Sequence, residues 1–257
     1  MNSSSIKQRA MKQFSMISIL TKREFMSFFA TPIGYVFIAI FLIMSGIMTF
    51  NLGSLYERGQ ADLLPFFNFH PWLYLFLVPA FAMRSWSEER RSGSIELLMT
   101  LPITAFQAMV AKFISAWLVL GLALVLTFPL WITINYLGQP DNGVILAAYI
   151  GSWLMAGAFL AIGICMSALS KSQVIAFILS ISISFLFVLS GTEAVINSFK
   201  GVLPTAFIDV IASLSFIQHF DSIAKGVIAL NDVGYFLLVI LSWLFAGLVI
   251  IEDKKAS

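Results

Sequence analysis

VILAAYIGSWLMAGAFLAIGICMSAL, residues 144–169, lies between Asp141 and Lys171 and carries no charged side chain. About 20 such residues suffice to carry a helix across the hydrocarbon core of a bilayer. The run does not alternate in polarity as a membrane β-strand would. Small residues recur four apart along it: Ala147 and Gly151, Ser152 and Ala156, Gly157 and Ala161, Gly163 and Ser167. That spacing lets helix backbones approach closely, so this helix is expected to pack against protein.

The same pattern extends outward. Charge-free intervals separate Glu24 from Glu57, Asp62 from Arg84, Lys112 from Asp141, Lys171 from Glu193 and Asp232 from Glu252. With the first run they place six membrane-spanning helices near 32–53, 64–84, 107–136, 144–169, 173–190 and 232–251. Pro65, Pro71 and Pro79 are expected to kink or shorten the second. The span interiors are read as free of ionisable groups, with Arg84 only ending the second. Composition agrees: of 257 residues 60% are hydrophobic and 11% charged, where a soluble domain carries about 25% charged. The fold class is an all-α integral membrane protein forming a single domain over 1–257. The bilayer is its principal solvent, and nothing in the charge pattern suggests nucleic acid.

Basic residues set the expected orientation. With the N-terminus inside, the inner segments hold twelve of the Lys and Arg residues and the outer segments only Arg58, Lys200 and Lys225, so both termini are expected in the cytoplasm. The basic start, Lys7, Arg9 and Lys12, is followed by a stretch too short and polar for a signal peptide. Phe14, Ile17, Phe25 and Phe28 share one helical face opposite Lys12, Lys22 and Arg23. Residues 1–31 therefore read as a cytoplasmic amphipathic helix on the membrane surface. Thr31-Pro32 is expected to cap helix 1, and Thr104 with Gln107 to form a capping box opening helix 3.

Missing chemistry narrows the function. Ion-coupled carriers and proton pumps usually need ionisable groups within the membrane. No Gly-rich loop ending in Gly-Lys-Ser/Thr is present to cradle a nucleotide, and no Gly-x-Ser-x-Gly elbow offers a nucleophile. Cys165 is a lone cysteine, and His70 and His219 lack zinc-site spacing. Catalytic, cofactor and metal sites are therefore not expected in this chain. Energy for uphill transport would have to come from a partner.

The stretch 85–104 is the segment a partner could grip. It is mixed in charge, Gly93 permits a turn, and Ile95, Leu98 and Met99 recur at helical spacing ahead of Pro102. A solvated loop with an interfacial helix is the plainer alternative. The run Glu88-Glu89-Arg90-Arg91-Ser92-Gly93-Ser94-Ile95-Glu96-Leu97-Leu98, then Leu101-Pro102-Ile103-Thr104, resembles the cytosolic loop of type-2 ABC exporter permeases. The stretch Ile217 to Ile228, with His219, Phe220, Asp221, Lys225 and Gly226, matches that family in its outer segment. Phe28-Phe29-Ala30-Thr31-Pro32-Ile33-Gly34-Tyr35 looks most like the gliding-motility-type branch.

The resemblance implies a homodimer or pseudo-dimer of six-helix permeases, each engaged by a separate cytoplasmic ATPase that binds ATP-Mg. Docking would fall to a coupling helix after helix 2, through Glu88, Glu89, Arg91, Gly93, Ile95, Glu96 and Leu98. Residues 191–231 would form short re-entrant helices, with His219, Phe220, Lys225 and Gly226 at an external gate. Independently of the family, Ser215 and Gln218 have capping-box spacing for a short helix there. His219 could equally be a histidine hydrogen-bonded near the headgroups. The gliding-type branch further implies a membrane protein with a large extracytoplasmic domain as companion. Two other classes stand beside the permease: a non-transporting membrane scaffold of an ATPase-driven machine, and a membrane enzyme. ATPase stimulation by a transported compound separates the first two, and activity of the isolated chain would identify the third.

Overall fold

The computed structural model describes residues 3–94, 103–200 and 204–256, and every regular element in them is a helix. In chain order these are α1 (Ser3–Ala30), α2 (Ile33–Ile47, continued by a π-helical turn Met48–Leu52), α3 (Leu64–Asn68), α4 (His70–Ala82) and α5 (Arg84–Ser92). Then follow α6 (Ala105–Val125), α7 (Phe128–Leu137), α8 (Asn142–Leu169) and α9 (Gln173–Leu189). The last are α10 (Glu193–Phe199), α11 (Thr205–Ala212), α12 (Phe216–Ala224) and α13 (Leu230–Ala256).

Four stretches are long and apolar enough to cross a membrane: Ile33–Leu52, Ala105–Leu137, Asn142–Leu169 and Leu230–Asp253. The pair α11–α12, bent by 61°, has the composition of a fifth, broken span or a re-entrant loop. The chain is a multi-pass membrane protein. The second expected helix, 64–84, is divided instead into α3, α4 and the start of α5. Pro65 and Pro71 each sit in a first helical turn, where the missing N–H costs nothing, and each marks a new start. At 13 residues, α4 is about 20 Å long, short of the roughly 30 Å core. The third expected helix is interrupted where α6 gives way to α7, ahead of Pro129.

The bundle is built around α8. From Leu154 to Ala168 every residue is buried, as in a helix surrounded on all sides. Helices α4, α6, α9, α12 and α13 pack against it. Its small residues are what allow this: a Cβ on Gly163 would lie 2.5 Å from Ala82 Cβ, and one on Gly151 2.7 Å from Ile223 Cγ2. Facing α6, Trp117 and Trp153 stack with centroids 4.1 Å apart, and each indole N–H donates to the other residue's carbonyl, at 2.9 and 3.1 Å. Two large side chains thus meet at an α6–α8 crossing with no indole donor left open.

The first helix lies on this bundle. Leu20 is buried, Phe25, Phe28 and Phe29 pack against the core, and Phe28 stacks on Phe81 at 4.7 Å. Thr31 does not cap helix α2 as expected; its hydroxyl donates back to Ser27 O, and Pro32 takes the cap position without a side-chain bond. The Thr104–Gln107 capping box is present in both directions. The ends of the bundle separate cleanly. Arg84, Arg90, Lys112 and the close of α8 gather at a basic end. At the opposite end Gly138 meets Ala61 and Gly226 meets Val144.

Candidate functional site

At the basic end, α5 is fastened to α8 by a set of specific bonds. A helix start leaves four amides without intrahelical partners. Two of those in α5, Trp86 N and Ser87 N, donate to Ser167 Oγ of α8 at 3.0 Å each, and the same hydroxyl donates to Met83 O at 2.8 Å. One serine thereby uses its donor and both acceptor positions. Arg90 Nη1 donates to Ala168 O at 2.6 Å, satisfying a carbonyl at the end of α8. Helix α5 stops at Gly93, which adopts the left-handed φ of 71° that suits glycine at a helix C-terminus. Arg90 and Arg91 occupy its last turn, where cations complement the helix dipole.

A buried cation sits beside this junction. Lys112 of α6 is 8% exposed, and its ammonium lies 2.7 Å from Glu89 Oε1 of α5 and 3.6 Å from Glu24 Oε2 of α1. It also lies 5.1 Å over the ring of Trp86, which is fully buried. Arg23 pairs with Glu24 from the solvent side at 2.6 Å. Burial alone would raise the Glu24 carboxyl, but Lys112 and Arg23 outweigh it and hold its pKa below the ordinary value. One lysine thus ties three segments: the N-terminal helix, the loop helix and a core helix.

The residues expected to meet a partner divide here. Glu88 is exposed and pairs with Arg84 at 3.1 Å, and Arg91 and Gly93 face solvent. Glu89 turns inward to Lys112. Ile95, Glu96 and Leu98, and with them the expected coupling helix, lie outside the described residues.

At the opposite end the predicted gate residues are drawn together only in part. His219 of α12 contacts Asp232 Oδ1 of α13 through Nδ1 at 2.7 Å and Ser213 O through Nε2 at 2.9 Å. Its ring stacks on Tyr235 with centroids 3.9 Å apart. The histidine therefore pins the α11–α12 bend to the start of α13. Phe220 is buried and reaches the α8 surface at Gly151. Lys225 is exposed and pairs with Asp221, one turn earlier on α12. Gly226 takes φ 89° and presses against Val144. Ser215 caps α12 by accepting from Gln218 N, but the reciprocal half of the expected box is absent: Ser215 N donates to Ala212 O instead, and Gln218 Nε2 donates to Gly191 O.

Two residues correct the expectation of ionisable-free interiors. Lys112 falls inside the 107–136 stretch and His70 inside 64–84. His70 is fully buried among Phe41, Phe66, Phe67 and Tyr74, with Nδ1 3.2 Å from Ser152 Oγ, which in turn meets Tyr74 OH at 2.8 Å. The signal for both was in plain view, an ionisable residue within an apolar run.

The fold and site define a polytopic membrane protein whose loop helix is anchored to its central helix at one end and whose helices are broken at the other. The model of the ABC-2 family transporter protein matches residues 54–251, and the chain belongs to that family. It is accordingly a permease subunit of an ABC transporter, the membrane component that associates with an ABC ATPase. No curated protein matches the chain in sequence.

Proposed function

We propose that this permease is an exporter subunit of the gliding-motility type in a bacterial inner membrane, with both termini cytoplasmic. It works as a dimer driven by a separate ATPase that binds ATP-Mg, alongside a membrane protein with a large extracytoplasmic domain. Six crossings are assigned to Ile33–Leu52, α3–α4, Ala105–Leu137, α8, α9 and Leu230–Asp253. The twelve-to-three bias of basic residues supports this orientation. Helices α10–α12 form the external closure.

The observation that carries the reading is the anchoring of α5. A loop that receives mechanical work must be joined stiffly to the membrane helices, and Ser167, Arg90 and Lys112 supply three such joints. The apolar positions Ile95 and Leu98, just beyond it in sequence, would seat in the ATPase. Truncating a packed interface anchor costs about 2 kcal/mol or more. Ile95→Asp with Leu98→Asp should release the ATPase from a tagged permease while the permease stays in the membrane. Glu88→Gln should weaken docking only slightly, since exposed ion pairs contribute about 0–1 kcal/mol. Full ATPase retention by the double aspartate variant would remove this loop as the docking element.

A further inference from the structure

We propose that the basic end holds a binding site for one phospholipid with a primary-amine headgroup, seated between α1, α2, α4 and α6. Two cavities meet there. A polar cleft of about 300 Å³ is lined by Glu24, Arg84, Glu88, Glu89 and Lys112. An apolar groove of about 280 Å³ runs between α2 and α4, past Val36, Phe37, Ile40 and Leu77. The two share Ile33, Phe81 and Arg84, so the charged cleft and the apolar groove adjoin across these side chains. Their volumes are each near the lower bound of small-molecule sites, and a headgroup with its first acyl chain matches the sequence of polar then apolar walls.

The charges select the headgroup. Three carboxylates face two cations in the cleft. Lys112 is consumed by Glu89 and Glu24, and Arg23 holds Glu24 from outside. What remains adjustable is the Arg84–Glu88 pair, whose side chains are 40% and 52% exposed. Its guanidinium can clamp a phosphate and its carboxylate can take an ammonium, so a zwitterion replaces the pair without leaving either charge alone. A primary ammonium brings three N–H donors and a quaternary one brings none. An anionic headgroup would meet the carboxylates unpaired. The site needs only the membrane-embedded chain, so its failure leaves the permease proposal standing.

The test uses the full chain, purified in detergent and stripped of lipid. Native mass spectrometry would follow its titration with phospholipids of identical chains bearing ethanolamine, choline or glycerol headgroups. One ethanolamine lipid should be retained about tenfold more tightly than the other two, the worth of one charge-assisted hydrogen bond. Glu88→Gln, on an exposed side chain, and Arg84→Gln should each erase that preference. Ala80→Trp, which plugs the groove, should abolish retention of all three, whereas Leu238→Trp on the exposed face of α13 should not. Equal retention of the three headgroups overturns the proposal. So does equal loss from the two tryptophan variants, the mark of bulk annular lipid. Disulfide cross-linking of Val36→Cys between two copies, with no lipid retained, would assign the groove to a second chain and overturn it as well.

Discussion

Replacing Lys112 by methionine keeps a similar unbranched shape and removes one charge. At an effective dielectric of about 20, unit charges 2.7 Å apart, as for Lys112 and Glu89, attract by roughly 6 kcal/mol. At the 3.6 Å to Glu24 the figure is roughly 5 kcal/mol. Desolvation of the three groups offsets most of this, and removing one partner of a buried pair typically costs about 3–5 kcal/mol. The carboxylates keep 18% and 22% side-chain exposure, so water rescues part of the loss and the lower end, about 3 kcal/mol, applies. At about 2–4 °C per kcal/mol for a chain near this size, Lys112→Met should melt about 6–12 °C below wild type. Adding Glu24→Gln and Glu89→Gln neutralises the stranded carboxylates and should restore at least about half of the loss. The assay is thermal unfolding of the purified chain in one detergent. A single variant melting with wild type, or a triple variant no better than the single, would refute the claim that Lys112 holds these segments together electrostatically.

Other perturbations follow from the same geometry. His219→Ala leaves Asp232 buried without its partner and should cost about 1–3 kcal/mol. Amide exchange should accelerate across 205–224 and stay unchanged across 154–168. Gly226→Ala combines a left-handed backbone with a Cβ 2.9 Å from Val144 Cγ2 and should destabilise by about 1–3 kcal/mol. Val144→Ala should recover the steric part of that loss and leave the backbone part, as read by melting. Because the folded pKa of Glu24 is depressed, its contribution is present above the ordinary 4.5 and is lost as pH falls below that value. Wild-type melting should therefore drop below pH 4.5 by more than that of Glu24→Gln.

Long apolar runs made the helices legible: α8, the α6–α7 stretch and α13 begin and end within a few residues of their expected limits. The Thr104–Gln107 box was readable because both halves of it are local. Signals that depend on distant partners were not. Ser167 reads as a small residue in a packing stripe, yet it caps a helix 80 and 81 positions earlier in the chain, at Ser87 and Trp86. Lys112 marks the edge of a charge-free interval, which hides its place within the helix, and Glu89 reads as a solvent-facing docking residue until Lys112 is placed beside it. Gln218 had the right spacing to close a local box, but the tight turn after α11 gives the Ser215 amide to Ala212 O, and the Gln218 side chain reaches Gly191 O. Thr31 was similarly drawn to the preceding turn, because α1 runs to Ala30 and leaves Ser27 O within its reach.

The union of α5 with the end of α8 has a mechanical consequence. Helix α8 is 28 residues long, about 42 Å from end to end. A single hydrogen-bonded rod of that length is stiff along its axis. Displacing Arg84–Ser92 without moving α8 would require breaking the Ser167 and Arg90 bonds together. Under the proposed coupling, a push at the basic end would act on the whole rod. It emerges at the far end where Gly151 bears on Ile223 and Phe220, and where Val144 bears on Gly226. The contacts that seat α12 thus stand at the far end of the same rod that α5 is bonded to.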